Sequence, residues 1–73
     1  MIEVRLFATL RVGRDKICFF APEDAATVED ILDKLNIPVT EAAIMLINGF
    51  HSKPTDNVKD GDVVSIFPPV AGG

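Results

Sequence analysis

Along residues 2–10, Ile2, Val4, Leu6, Ala8 and Leu10 alternate with Glu3, Arg5, Phe7 and Thr9, and only Phe7 interrupts the polar side. A two-residue period places one side of an extended chain against a core, so this stretch predicts a strand buried on one face. Gly13 lies among the charged residues Arg11, Arg14 and Asp15, which marks a turn. Residues 16–21, KICFFA, then read as a second strand that pairs with the first as a hairpin.

The period changes after Pro22, Glu23 and Asp24. Val28, Ile31, Leu32 and Leu35 recur at helical spacing, while Glu29, Asp30, Asp33 and Lys34 take the other side. Thr27 is placed to cap the first turn, with Asp30 reaching back to close a capping box. Asn36 accepts the left-handed conformation at a helix end and Pro38 blocks continuation, so the spacing predicts an amphipathic helix of about three turns.

Residues 43–47, AIMLI, form a short apolar run before Asn48-Gly49, a pair suited to tight turns, and predict a third strand. Residues 51–62 are polar and turn-rich, with room for a short strand near His51 and one helical turn at residues 56–58. Asp60-Gly61 then leads into VVSIF at residues 63–67, with Val64 and Ile66 expected inward and Ser65 outward. One amphipathic helix can cover one face of a four- or five-stranded sheet, and a helix between the second and third strands implies a crossover and a mixed sheet. The expected class is α+β, in the β-grasp arrangement: residues 1–67 as the folded domain and residues 68–73 as a flexible tail.

Composition narrows what such a domain can do. Its 73 residues allow one thin core, and 48% hydrophobic residues leave apolar side chains available for a contact surface. Seven basic against eleven acidic side chains give a net charge of -4, the wrong sign for nucleic acid. The longest apolar run, residues 42–47, is too short to span a membrane, and MIEVRL lacks the basic region of a targeting segment, so a cytoplasmic location is expected. With one cysteine, Cys18, and one histidine, His51, neither an intrachain disulfide nor a structural zinc site is expected. Cys18 in an apolar strand reads as a small hydrophobe and His51 as a loop residue, so no catalytic constellation emerges.

The last seven residues, FPPVAGG, carry no charged side chain. Pro68 and Pro69 fix φ and favour an extended exit from the final strand. Gly72 and Gly73 have no Cβ and can thread a slot that would exclude any side chain. The four residues after Pro69 reach roughly 13 Å when extended, enough to enter a deep pocket while the body docks outside. A terminal carboxylate is ionised at neutral pH and resists nucleophiles, so chemistry at Gly73 requires activation, most economically as an acyl-adenylate made by a partner enzyme.

DGDVVSIFPPVAGG at residues 60–73, with ING at residues 47–49 and the opening MIEVRLFATLR, resembles the β-grasp sulfur-carrier proteins, and within them the small subunit of molybdopterin synthase. The resemblance implies that an E1-like enzyme, consuming ATP, adenylates Gly73, and that a sulfurtransferase relay converts it to a thiocarboxylate. It implies that Pro68, Pro69, Val70, Ala71 and Gly72 enter a channel of the synthase large subunit in a heterotetramer, where sulfur passes to the pterin precursor. The docking surface is expected on the sheet face away from the helix, from Phe7, Phe67 and Met45, with Arg11 beside it. No bound cofactor or metal is implied. NIPVTEAA at residues 36–43 is shorter than the matching segment of that subunit and nearer the thiazole-synthesis sulfur carrier, while a tungsten-pterin route fits equally. The same tail chemistry with a lysine acceptor gives a ubiquitin-like protein modifier, and a plain interaction module is the third reading.

Overall fold

The computed structural model describes residues 1–69. Five strands, β1 (Ile2–Leu6), β2 (Ile17–Phe20), β3 (Ile44–Ile47), β4 (Phe50–His51) and β5 (Val63–Phe67), form one sheet in the order β2-β1-β5-β3-β4. The outer pairs are antiparallel, and the central β1–β5 pair is parallel, with Val4 beside Val64 and Leu6 beside Ile66. One helix, α1 (Val28–Lys34), covers one face. This is the mixed, helix-covered β-grasp sheet that the pattern predicts.

The core follows the two periods. Ile2, Val4 and Leu6 of β1, Val64 and Ile66 of β5, and Val28, Ile31 and Leu32 of α1 are buried together. Leu10, Ile37 and Val58 close the cluster from the connections. Burying an aliphatic side chain of this size contributes about 1.5–3 kcal/mol, so the thin core rests on these few contacts.

Three local expectations are corrected. The alternation predicted a strand through Leu10, but β1 ends at Leu6 and the chain turns into a 3-10 helix, Ala8–Arg11, entered through Ala8 at φ 54°. Its parallel neighbour explains the stop: β5 runs into Pro68, which has no N–H to donate, so no ladder can continue. Leu10 still reaches the core, from the 3-10 turn.

The helix has seven residues, about two turns, shorter than expected. It ends at the expected stop, where Asn36 turns left-handed at φ 57°, the Asn36 N–H donates to Asp33 O at 3.1 Å and the Ile37 N–H to Leu32 O at 2.9 Å. These two bonds form a Schellman end, anchored by buried Ile37. Residues 56–58 form no helical turn. The Asp56 carboxylate instead accepts from the Lys53 N–H at 2.9 Å, and Asn57 bridges to Thr27.

Candidate functional site

Strand register decides which residues share the face that α1 leaves open. Partners across a ladder point the same way, so Glu3 and Arg5 of β1 lie with Phe19 and Ile17 of β2, and Ser65 and Phe67 of β5 lie with Leu46 and Ile44 of β3. Phe7 follows Leu6 in register with β5, its N–H donating to Ile66 O at 3.2 Å. Its ring therefore meets that of Phe67, stacked with centroids 4.2 Å apart and planes 12° from parallel. Such a pair contributes roughly 0.5–1.5 kcal/mol beyond its buried area.

The stack stands at the root of the tail. Ala43 N–H donates to Phe67 O at 2.9 Å, so the last strand residue is held on both sides. Pro68 and Pro69, with Thr9, Leu10, Arg14 and Glu41, line a cleft of about 260 Å³. Arg11 donates from Nε to Leu6 O at 2.8 Å, which holds its guanidinium carbon 5.5 Å from the centre of the Phe7 ring. The structure thus brings Phe7, Phe67 and Arg11 together beside Pro68 and Pro69. Val70, Ala71, Gly72 and Gly73 lie outside the described residues.

Met45 does not join them. It sits opposite Ile66 in the β3–β5 ladder and is 8% exposed, packed in the core under α1. The open positions on β3 are its neighbours Ile44 and Leu46. An unbroken apolar run such as AIMLI has no period from which a sequence could assign its faces.

The remaining reactive groups are separate. Cys18 is half-buried, opposite Val4 and packed on the core. Burial, and then the nearby charge of Asp15, push its thiol upward, so it stays protonated and a poor nucleophile near neutral pH. His51 is exposed on the edge strand β4. No group of three or more His, Cys, Asp or Glu among the described residues could hold a metal ion, and no described helix is long and apolar enough to cross a membrane.

Two polar devices that the sequence did not disclose brace this scaffold, one at the start of β5 and one beside Pro68 and Pro69. Buried Asp62, just before β5, accepts from Asn48 Nδ2 at 2.9 Å and from the Lys59 N–H at 2.9 Å, while Asn48 Oδ1 accepts from the Val63 N–H at 2.9 Å. Asn48 itself is left-handed at φ 53°, in the turn with Gly49. Arg14 donates to Leu10 O, Leu35 O and Asn36 O, tying the β1–β2 connection to the end of α1. The Asn-Gly and Asp-Gly-Asp pairs signal turns locally, but their partnership across fourteen residues is visible only once β3 and β5 are side by side.

Known proteins share this architecture. Small archaeal modifier protein 3 of Haloferax volcanii is 38% identical over a 91-residue alignment covering 99% of this chain and 98% of that protein. The crystal structure of small archaeal modifier protein 1 from the same organism superposes with a TM-score of 0.72 at 30% identity, covering 99% of this chain and 98% of that one. A Pyrococcus furiosus protein described as molybdopterin converting factor, subunit 1, matches with a TM-score of 0.63 at 26% identity, over 94% of this chain and 97% of its own. The ThiS family model matches residues 4–73, nearly the whole sequence, and the chain therefore belongs to the ThiS family of β-grasp sulfur carriers.

Proposed function

We propose that this chain carries sulfur as a thiocarboxylate on Gly73 and delivers it in the synthesis of molybdopterin. The observation that carries the reading is the Phe7–Phe67 stack on an uncovered sheet face at the foot of a Pro-Pro…Gly-Gly end. A partner that takes the tail has an apolar platform to grip beside it.

In the chemistry proposed, an oxygen of the Gly73 carboxylate attacks the α-phosphorus of ATP in an E1-like enzyme and pyrophosphate leaves. The resulting mixed anhydride is an electrophile. Sulfur at the hydrosulfide level, supplied by a sulfurtransferase, attacks the carbonyl carbon and expels AMP, giving the thiocarboxylate. Sulfur is the softer and better nucleophile, so the thiocarboxylate then attacks an activated carbon of the pterin precursor in the large synthase subunit and displaces its leaving group. Water cleaves the acyl–sulfur bond, leaving sulfur on the pterin and returning the Gly73 carboxylate for another round. The Pyrococcus likeness supports the molybdopterin destination.

A second reading has its own support in the 38% identity to a small archaeal modifier protein. In that reading a lysine amine takes the activated glycine and forms an isopeptide bond. One experiment separates the two. The chain is incubated with the E1-like enzyme, ATP and a sulfur donor, and its intact mass is measured, while lysates are digested with trypsin and searched for lysines carrying the remnant DGDVVSIFPPVAGG, residues 60–73, that cleavage after Lys59 leaves. Exchange of one oxygen for sulfur at Gly73, with conversion of the pterin precursor when the large subunit is added, is the expected result. Remnants without precursor conversion would replace it with the modifier reading.

A further inference from the structure

The open face carries a second feature, distinct from the aromatic stack and touching it. Arg5, Arg11 and Lys16 frame a cleft of about 260 Å³ walled by Leu6, Phe7 and Ile17. Only seven basic side chains stand against eleven acidic ones in this chain, and three of the seven meet here. Glu3 pairs with Arg5 and offsets its charge. Among the described residues Arg11 and Lys16 have no ion-pair partner, and Arg11 donates only from Nε, to Leu6 O. A local excess of positive charge therefore sits on a molecule of net charge -4.

We infer that this cleft seats an acidic side chain, Glu or Asp, of the E1-like enzyme that activates the tail, and so forms the electrostatic half of that enzyme's docking surface. This rests on the carrier reading above. The walls argue for a side-chain carboxylate over a free anion. Phe7 and Ile17 can cover the methylene stem of a glutamate while Arg11 and Lys16 meet its tip; inorganic phosphate would gain only from the cations. The shared residue argues for the same partner: Phe7 walls this cleft and also stacks on Phe67 at the tail root, so a body covering one covers the other. Opposite charges across such a surface speed encounter and set register, and they repel partners with basic counterparts.

The test uses the full chain with the E1-like enzyme of the same genome and ATP, following pyrophosphate release against carrier concentration. Lys16→Glu and Arg11→Glu are each expected to raise KM roughly tenfold or more with kcat little changed, because the tail and its chemistry are intact. The wild-type KM should rise between about 50 and 500 mM salt, and the variants should respond less. Arg11 also braces the chain through Leu6 O, so Lys16→Glu, which breaks no hydrogen bond among the described residues, keeps the test decisive if Arg11→Glu unfolds. An unchanged KM in Lys16→Glu overturns the cleft assignment and leaves the carrier reading standing, as does tight binding of inorganic phosphate at Arg5, Arg11 and Lys16 by NMR. No pyrophosphate release with the wild type overturns both.

Discussion

Asp62 is 5% exposed, yet each carboxylate oxygen has a donor, Asn48 Nδ2 on one and the Lys59 N–H on the other. A buried charge is tolerated only when paired in this way. Removing it orphans both donors at the start of β5, the strand that ends in the tail root. Asp62→Ala is therefore expected to lower the unfolding free energy by about 2–3 kcal/mol in urea denaturation. A loss below about 0.5 kcal/mol would mean that water satisfies both donors equally well. Asn48 and Asp62 were visible in the sequence as turn residues. Their bond was not, because it depends on two loops at the same end of neighbouring strands.

At the scale of elements, α1 shows how seven residues are held as a helix. Thr27 Oγ1 accepts from the Asp30 N–H at 3.2 Å, and Asp30 Oδ2 accepts from the N–H groups of Ala26 at 2.9 Å and Thr27 at 3.2 Å. An isolated helix this short would be marginal, so its ends and buried face must supply its stability. Thr27→Ala is expected to cost about 1 kcal/mol. The Asp30 carboxyl is held below its ordinary range, chiefly by the Ala26 N–H and then the Thr27 N–H. Its folded-state pKa thus lies below the unfolded value, so the stabilisation is fully present above the unfolded value of about 3.9 and is lost as pH falls through the folded pKa. The melting-temperature gap between wild type and Asp30→Ala should be constant from about pH 6 to 8 and narrow below about pH 4. A gap unchanged on acidification would exclude the carboxylate as its source.

For the whole molecule, the buried side chains run from Ile2 to Ile66, and the proposed chemistry belongs to atoms after Pro69. Stability and function should therefore separate. A chain cut after Pro69 is expected to keep the full-length melting temperature within about 2 °C, since a 1 kcal/mol change would move a domain this small by roughly 4–8 °C. It should release no pyrophosphate with the E1-like enzyme. A large drop in melting temperature would place the last four residues in the fold; residual activation would move the chemistry away from Gly73.

What the sequence alone determined is what acts over one to four residues. The alternation at Ile2, Val4 and Leu6, the stripe at Val28, Ile31 and Leu32, the Thr27–Asp30 cap, and the helix stop at Asn36 are dictated by backbone period and local hydrogen bonding, which every chain of this pattern obeys. The Pro-Pro…Gly-Gly end was equally legible, because it is a covalent fact. Only the tertiary structure decided the rest: that Met45 packs inward while Ile44 and Leu46 face out, that β1 stops where Pro68 ends its neighbour's ladder, that Asn48 clasps Asp62, and that Arg5, Arg11 and Lys16 share one cleft. Each depends on register between segments distant in the chain, and register is set by the packing of all the strands at once, which no single stretch encodes.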